Sequence, residues 1–186
     1  VAHRMALDYP KHIKKIVLID MLPTLEVFEN INSDIAMTYY HWFFMAQPDM
    51  LPEKILTENA EYLIKEKLKR WSSIGLNAFP KEVLSTYLDL ACTPEAIHAS
   101  CEDYRAAATI DLEHDRQSRD QKISCPLLAL WAKNGLMDRE FNVLKTWEKY
   151  ASNVTGTPIE SGHFIPEEAT DKVNPLLLKW LKRELA

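Results

Sequence analysis

The sequence predicts an α/β fold, a parallel sheet interrupted by an inserted block of helices. Three observations carry that expectation. Ile16-Val17-Leu18-Ile19 and Leu127-Leu128-Ala129-Leu130-Trp131 are short, continuous apolar runs, the pattern of strands buried on both faces. Helical periodicity alternates with such runs at both ends of the chain, as parallel strands require. Between residues 20 and 126 no convincing strand pattern occurs, only successive helical stretches.

In chain order, residues 1–9 read as the tail of a helix stopped by Pro10, already in helical rhythm at Val1 with no capping residue before it. The chain is therefore expected to begin inside an element. The first strand, 16–19, ends at Asp20. Residues 33–46 are expected as one helix, apolar nearly all round and hence buried. Asn59 is expected to cap a helix ending near Trp71, and Pro80 opens another, with Val83, Leu84, Tyr87, Leu88 and Ala91 on one stripe. Thr93-Pro94 is a cap followed by proline at the first helical position, opening a helix to about residue 108. After the second strand, Asp138 is expected to cap a helix over 139–151. A third strand spans 154–159, and a helix over 166–185 closes the chain, acidic early and basic late as the helix dipole prefers. An insert at the carboxyl edge of a parallel sheet becomes a lid over the edge where open α/β sheets hold ligands.

Composition excludes several functions. The 186 residues carry only 4 glycines, where average usage of about 7% would give roughly 13, so no Gly-rich phosphate loop is present. A net charge of -5 argues against a nucleic-acid-binding protein. Cys92, Cys101 and Cys125 are odd in number and lack a C-x-x-C spacing, which argues against a disulfide framework or zinc site and for a reduced, cytoplasmic setting. No apolar run approaches a membrane span.

His163 leads the candidates for chemistry. It lies in Ser161-Gly162-His163-Phe164-Ile165-Pro166, after the last strand, where Gly162 allows a sharp turn and Phe164 and Pro166 can shelter the ring. Imidazole is the natural general base near neutrality. Asp20 and Asp138, each following a strand, compete to accept its other ring N–H, and spacing alone does not separate them. His41 and Trp42, adjacent on a helix about 100° apart, carry N–H groups that can converge on a small ligand, and Tyr104 adds a phenol. Three donors in an apolar pocket suit a developing anion. The charged runs 65–70 and 179–184 read as solvated helix faces, and no G-x-S-x-G elbow supplies a nucleophile.

Taken together, Val17-Leu18-Ile19-Asp20-Met21-Leu22-Pro23-Thr24, Tyr40-His41-Trp42-Phe43-Phe44-Met45-Ala46-Gln47-Pro48, Cys101-Glu102-Asp103-Tyr104-Arg105-Ala106, Leu112-Glu113-His114-Asp115 and Ile159-Glu160-Ser161-Gly162-His163-Phe164 resemble the haloacetate (fluoroacetate) dehalogenases of the α/β-hydrolase superfamily, along essentially the whole chain. The resemblance implies an α/β-hydrolase fold with residues 1–23 and 116–186 as core and 24–115 as an inserted helical cap. It implies that an aspartate displaces halide from a haloacetate to give an ester, which histidine-activated water hydrolyses to glycolate. His163 matches the base, Asp20 its acid partner, His41, Trp42 and Tyr104 the halide donors, and Trp71 an aromatic lining the substrate pocket. No cofactor and no metal are implied, the partner is a small haloacid, neither nucleic acid nor membrane is expected, and a homodimer is left open.

In the family the nucleophilic aspartate and two carboxylate-binding arginines precede the helix that opens this chain, so both are expected upstream of Val1, with the earlier strands of the sheet. Arg4 lies one turn beyond and does not replace them. The isolated chain is accordingly expected to be inactive and poorly folded. Two other readings stand beside this one. An epoxide hydrolase of the same fold would use two lid tyrosines, against which the His41-Trp42 pair argues; a fragment acting only as a helical interaction module is the other.

Overall fold

The computed structural model describes residues 1–182, which divide into two compact units. One comprises residues 1–26 and the chain from Ser118 onward, and the other residues 27–117.

The first unit is built on a three-stranded parallel sheet, β1 (Ile16–Ile19), β2 (Leu127–Ala132) and β3 (Val154–Ile159), in the order β1-β2-β3. Leu18 pairs with Ala129, and Ala129 with Gly156. Every residue of the central strand is buried, as its unbroken apolar run predicts. α1 (Ala2–Asp8) precedes the sheet. α10 (Leu136–Glu140) and α11 (Val143–Tyr150) follow β2, and α12 (Ile165–Glu168) and α13 (Thr170–Leu181) follow β3. Leu128 and Leu130 pack with Ile165, Ala169, Val173 and Trp180 on one face. On the other face α11 comes so close that a Cβ on Gly156 would lie 3.0 Å from Leu144 and 2.2 Å from the Ala129 carbonyl oxygen.

Trp147 of α11 is fully buried, and its indole N–H donates to the Met21 carbonyl at 3.1 Å, one residue beyond Asp20. Trp147→Ala is expected to cost about 3–5 kcal/mol through the cavity and the orphaned carbonyl. The midpoint of urea unfolding reads that loss.

The second unit is entirely helical among its regular elements. It holds α3 (Ser33–Thr38), α4 (Tyr40–Met45), α5 (Leu51–Leu56), α6 (Ala60–Trp71), α7 (Lys81–Ala91), α8 (Pro94–Ala108) and α9 (Ile110–Gln117). Thr93 caps α8 through a hydrogen bond from the Ala96 amide at 3.1 Å. α2 (Thr24–Glu29) joins the two units in sequence.

Four expectations about elements are corrected. The single helix over 33–46 is two, broken at Tyr39, and exposed Met37 and Tyr40 show that it is not buried all round. Residues two apart on a straight helix point to nearly opposite sides. Breaking it lets Tyr39 (6% exposed) and His41 (1%) both turn inward. Asn59 occupies the residue before α6 but its side chain caps nothing there and donates back to the Ile55 carbonyl. The helix over 139–151 is two, α10 and α11, separated where Phe141 and Asn142 are extended; Asp138 lies inside α10 and caps no helix from 139, its carboxylate folding back onto the Trp131 indole (2.7 Å) and the Asn134 amide (2.9 Å). Asn142 caps α11 instead, accepting from the Lys145 amide. The closing helix is likewise two, interrupted at Ala169, and its expected end at residue 185 lies outside the described residues.

Candidate active site

Parallel pairing sets the carboxyl ends of the three strands side by side, and the candidate catalytic pair sits there. Asp20 follows β1 with φ 49°, a left-handed conformation that aspartate tolerates better than most residues. Its own amide donates to the Leu130 carbonyl at 2.7 Å, so the turn starts from the sheet ladder. One carboxylate oxygen accepts the Ala132 amide at 2.9 Å, and the other meets His163 Nδ1 at 2.6 Å. The Asp20 side chain is 8% exposed and that of His163 34%, so the acid is enclosed while the ring reaches solvent. Phe164 packs edge-on against the imidazole at 5.2 Å.

This geometry separates the two competing aspartates. Asp20 holds His163; Asp138 is spent on Trp131 and Asn134, contacts that keep its carboxyl below the usual aspartate range. The sharp turn allowed for at Gly162 is made without a positive φ there, whereas Asp20 takes one. Arg4 is engaged with Asp8 (2.6 Å) and the Ser118 hydroxyl (3.0 Å).

Within the helical unit, the four residues singled out from the sequence gather in one aromatic cluster. His41 is buried, with Trp71 at 4.9 Å and Tyr104 at right angles at 5.5 Å. Trp42 lies 6.3 Å from Tyr104 and stacks flat on Tyr39 at 4.9 Å. Burial, aided by the Asp103 charge, pushes the Tyr104 phenol up to about 12, which keeps it a hydrogen-bond donor throughout the neutral range. A cavity of about 380 Å³ opens among Met45, Leu63, Ile97, Lys67 and Tyr104; of the three expected halide donors, Tyr104 alone lines it.

Lys67 overturns the reading of residues 65–70 as a wholly solvated face. Its ammonium stands over the Trp71 ring at 5.8 Å and the Tyr104 ring at 5.9 Å, and burial lowers its pKa. Three residues C-terminal to Ile64 on an amphipathic helix, it follows the buried stripe, a signal that the charge run concealed.

Arg105 was also hidden in plain view, beside Tyr104. Its guanidinium makes a fork onto the buried Glu53 carboxylate (2.7 and 2.9 Å), binds Glu102 at 2.5 Å and reaches the Gln47 carbonyl, tying α8 to α5. Among the described residues, Glu53, His98 and Glu102 are grouped closely enough to hold a metal ion. Arg105 already neutralises both carboxylates, so the donor set fits an ion-pair network better than a cation. The Arg105 hydrogen bonds hold the Glu53 carboxyl at about 2, down from 4.5. With its folded-state pKa depressed, Glu53 contributes stability fully present above pH 4.5 and lost as pH falls toward about 2. Glu53→Gln is therefore expected to flatten acid unfolding over that window, followed by circular dichroism.

The three thiols are free, and burial raises each pKa, so none is poised as a thiolate.

No protein-family model matches the chain. Among solved structures, a "putative alpha/beta hydrolase" from Nostoc sp PCC 7120 superposes with a TM-score of 0.95 at 44% identity, over 98% of this chain and 62% of that one. The chain has the α/β-hydrolase fold. A "putative epoxide hydrolase" from Pseudomonas aeruginosa, in a mutant form with bound MFA, matches this hydrolase-fold chain with a TM-score of 0.91 at 33% identity, covering 97% of it and 61% of the neighbour. A curated relative, the fluoroacetate dehalogenase of a Burkholderia sp, is 33% identical over 179 residues, 96% of the chain and 59% of the relative. The chain thus spans about 60% of the length of the proteins it matches. Among its described residues no helix is long and apolar enough to cross a membrane.

Proposed function

We propose that this chain is the carboxyl-terminal part of an enzyme that hydrolyses haloacetates to glycolate and halide. The observation that carries the reading is the packing of His41, Trp42 and Tyr104 into one cluster, in a chain 33% identical to a fluoroacetate dehalogenase. In this reading an aspartate upstream of Val1 attacks the halogen-bearing carbon, the carbon–halogen bond breaks, and halide departs with the electron pair. His163 then removes a proton from water, the water oxygen attacks the ester carbonyl, and glycolate leaves with the proton returned by the imidazolium. Asp20 fixes the ring with Nδ1 protonated, so that Nε2 is free to act as base, and stabilises the cation that forms.

The cap residues supply donors to the departing anion. Fluoride and chloride are poor or moderate leaving groups, and each hydrogen bond to a charged partner is worth about 1.5–3 kcal/mol. In this reading Trp71, packed on His41 at 4.9 Å, is the aromatic that borders the substrate, and Lys67 adds a positive field nearby. The mechanism calls for no metal or cofactor. A small anionic substrate is compatible with a net charge of -5, because only local cations and donors need face it.

The test is to express the chain with its upstream segment and assay chloroacetate, fluoroacetate and a simple epoxide in parallel. Halide and glycolate in equal amounts are expected. Diol from the epoxide without halide from either acid would assign the site to epoxide hydrolysis, and turnover of neither would leave only an interaction module.

A further inference from the structure

Glu168 closes α12, four residues after Phe164. One of its carboxylate oxygens accepts the Gly162 amide at 3.0 Å, and the other accepts the Phe164 amide at 3.1 Å. The two bonds straddle His163, their donors being the amides of the residue before it and the residue after it. A carboxylate that merely capped α12 would need the Phe164 amide alone, since Phe164 is the residue preceding the helix. The bond to Gly162 reaches past the helix start to the far side of the histidine. The carboxylate is also firmly mounted: Ile165 and Ala169, on either side of it in the chain, are 0% and 1% exposed and belong to the core packed on β2 and β3. Two charge-assisted hydrogen bonds thus strap the histidine loop to an anchored helix.

We infer that Glu168 is a positioning residue for His163, holding the backbone on both sides of the ring so that Nδ1 stays on Asp20. The ring itself is one-third exposed, meets Asp20 through Nδ1 and touches Phe164 edge-on, so its aim follows the backbone that carries it. A displacement of about 1 Å at a catalytic group can cost on the order of 100-fold in rate. This inference rests on the reading of His163 as general base.

The test compares unmodified protein, with its upstream segment, and Glu168→Gln. Glutamine keeps the shape but offers one acceptor oxygen, so one of the two amides faces an NH₂ group. In histidine-labelled protein, the His163 Nδ1 proton is expected to exchange with water faster in the variant. Its kcat should fall by about 10-fold or more at unchanged KM, with a displaced pH profile. A lowered Tm with the Nδ1 proton and pH profile unmoved would overturn the inference and leave Glu168 as a helix cap. Should the variant not fold, hydrogen exchange of the unmodified protein decides: protected Gly162 and Phe164 amides are expected, and exchange at free-loop rates would contradict the strap. The Nδ1 proton reports the Asp20 bond whatever the reaction is. Its loss in the variant, combined with no halide release from unmodified protein, would sink the dehalogenase reading and leave the strap standing.

Discussion

His163→Ala, in protein carrying its upstream segment, is expected to release one equivalent of halide and then stop. The first displacement needs the carboxylate nucleophile and the halide donors, neither of which involves the imidazole. The second step needs a base for water, and among the described residues His163 is the imidazole held on Asp20. Steady-state turnover should fall by about 10⁴-fold or more, the scale on which removing a catalytic base acts. The ester should accumulate, visible in peptide mass spectra as a carboxymethyl group on the nucleophile. Full turnover in the variant, or a halted variant without the adduct, removes His163 from the base role.

Asp20→Asn should produce nearly as large a loss for a different reason. The two carboxylate oxygens serve different donors, the Ala132 amide at 2.9 Å and His163 Nδ1 at 2.6 Å. An asparagine can present oxygen to only one of them. With its oxygen on Ala132, its NH₂ faces Nδ1 and forces that nitrogen to accept, which places the ring proton on Nε2 and blocks it as a base. With its oxygen on Nδ1, the buried Ala132 amide meets a second donor. About a 10⁴-fold drop in kcat follows from the wrong tautomer, with ester accumulating as in His163→Ala. Turnover within 10-fold of the unmodified protein would show that Asp20 does not set the tautomer.

These expectations concern residues that the sequence made visible for identifiable reasons. A continuous apolar run marks a buried parallel strand, so β1 and β2 and the residues at their carboxyl ends were legible, and His163 followed from its place after β3. Spacing left the choice between Asp20 and Asp138 open, because both follow strands and both suit a turn, and the resemblance alone pointed to Asp20; in the structure His163, 143 positions away, meets Asp20, while Asp138 turns to Trp131 seven residues before it. Helix breaks were the least legible. At Tyr39 the need to bury two rings overrides a pattern that propensity reads as continuous, and at Ala169 the break interrupts an i, i+4, i+8 apolar stripe of Ile165, Ala169 and Val173 that reads as one continuous helix. Lys67, Arg105 and Glu168 were masked by their type: a charged residue in a charged stretch looks solvated until its partners, up to 58 positions away for Arg105, are known.

The central claim is that hydrolysis passes through an acyl ester cleaved by water activated at His163. Isotope labelling under single-turnover conditions, with enzyme in excess over fluoroacetate in ¹⁸O-water, tests it most directly. The glycolate formed should carry no heavy oxygen in its hydroxyl group, because that atom comes from the nucleophilic carboxylate, and the label should appear in the carboxylate instead. Heavy oxygen in the first glycolate released would mean that water attacks the halogen-bearing carbon itself, and the ester mechanism would be wrong.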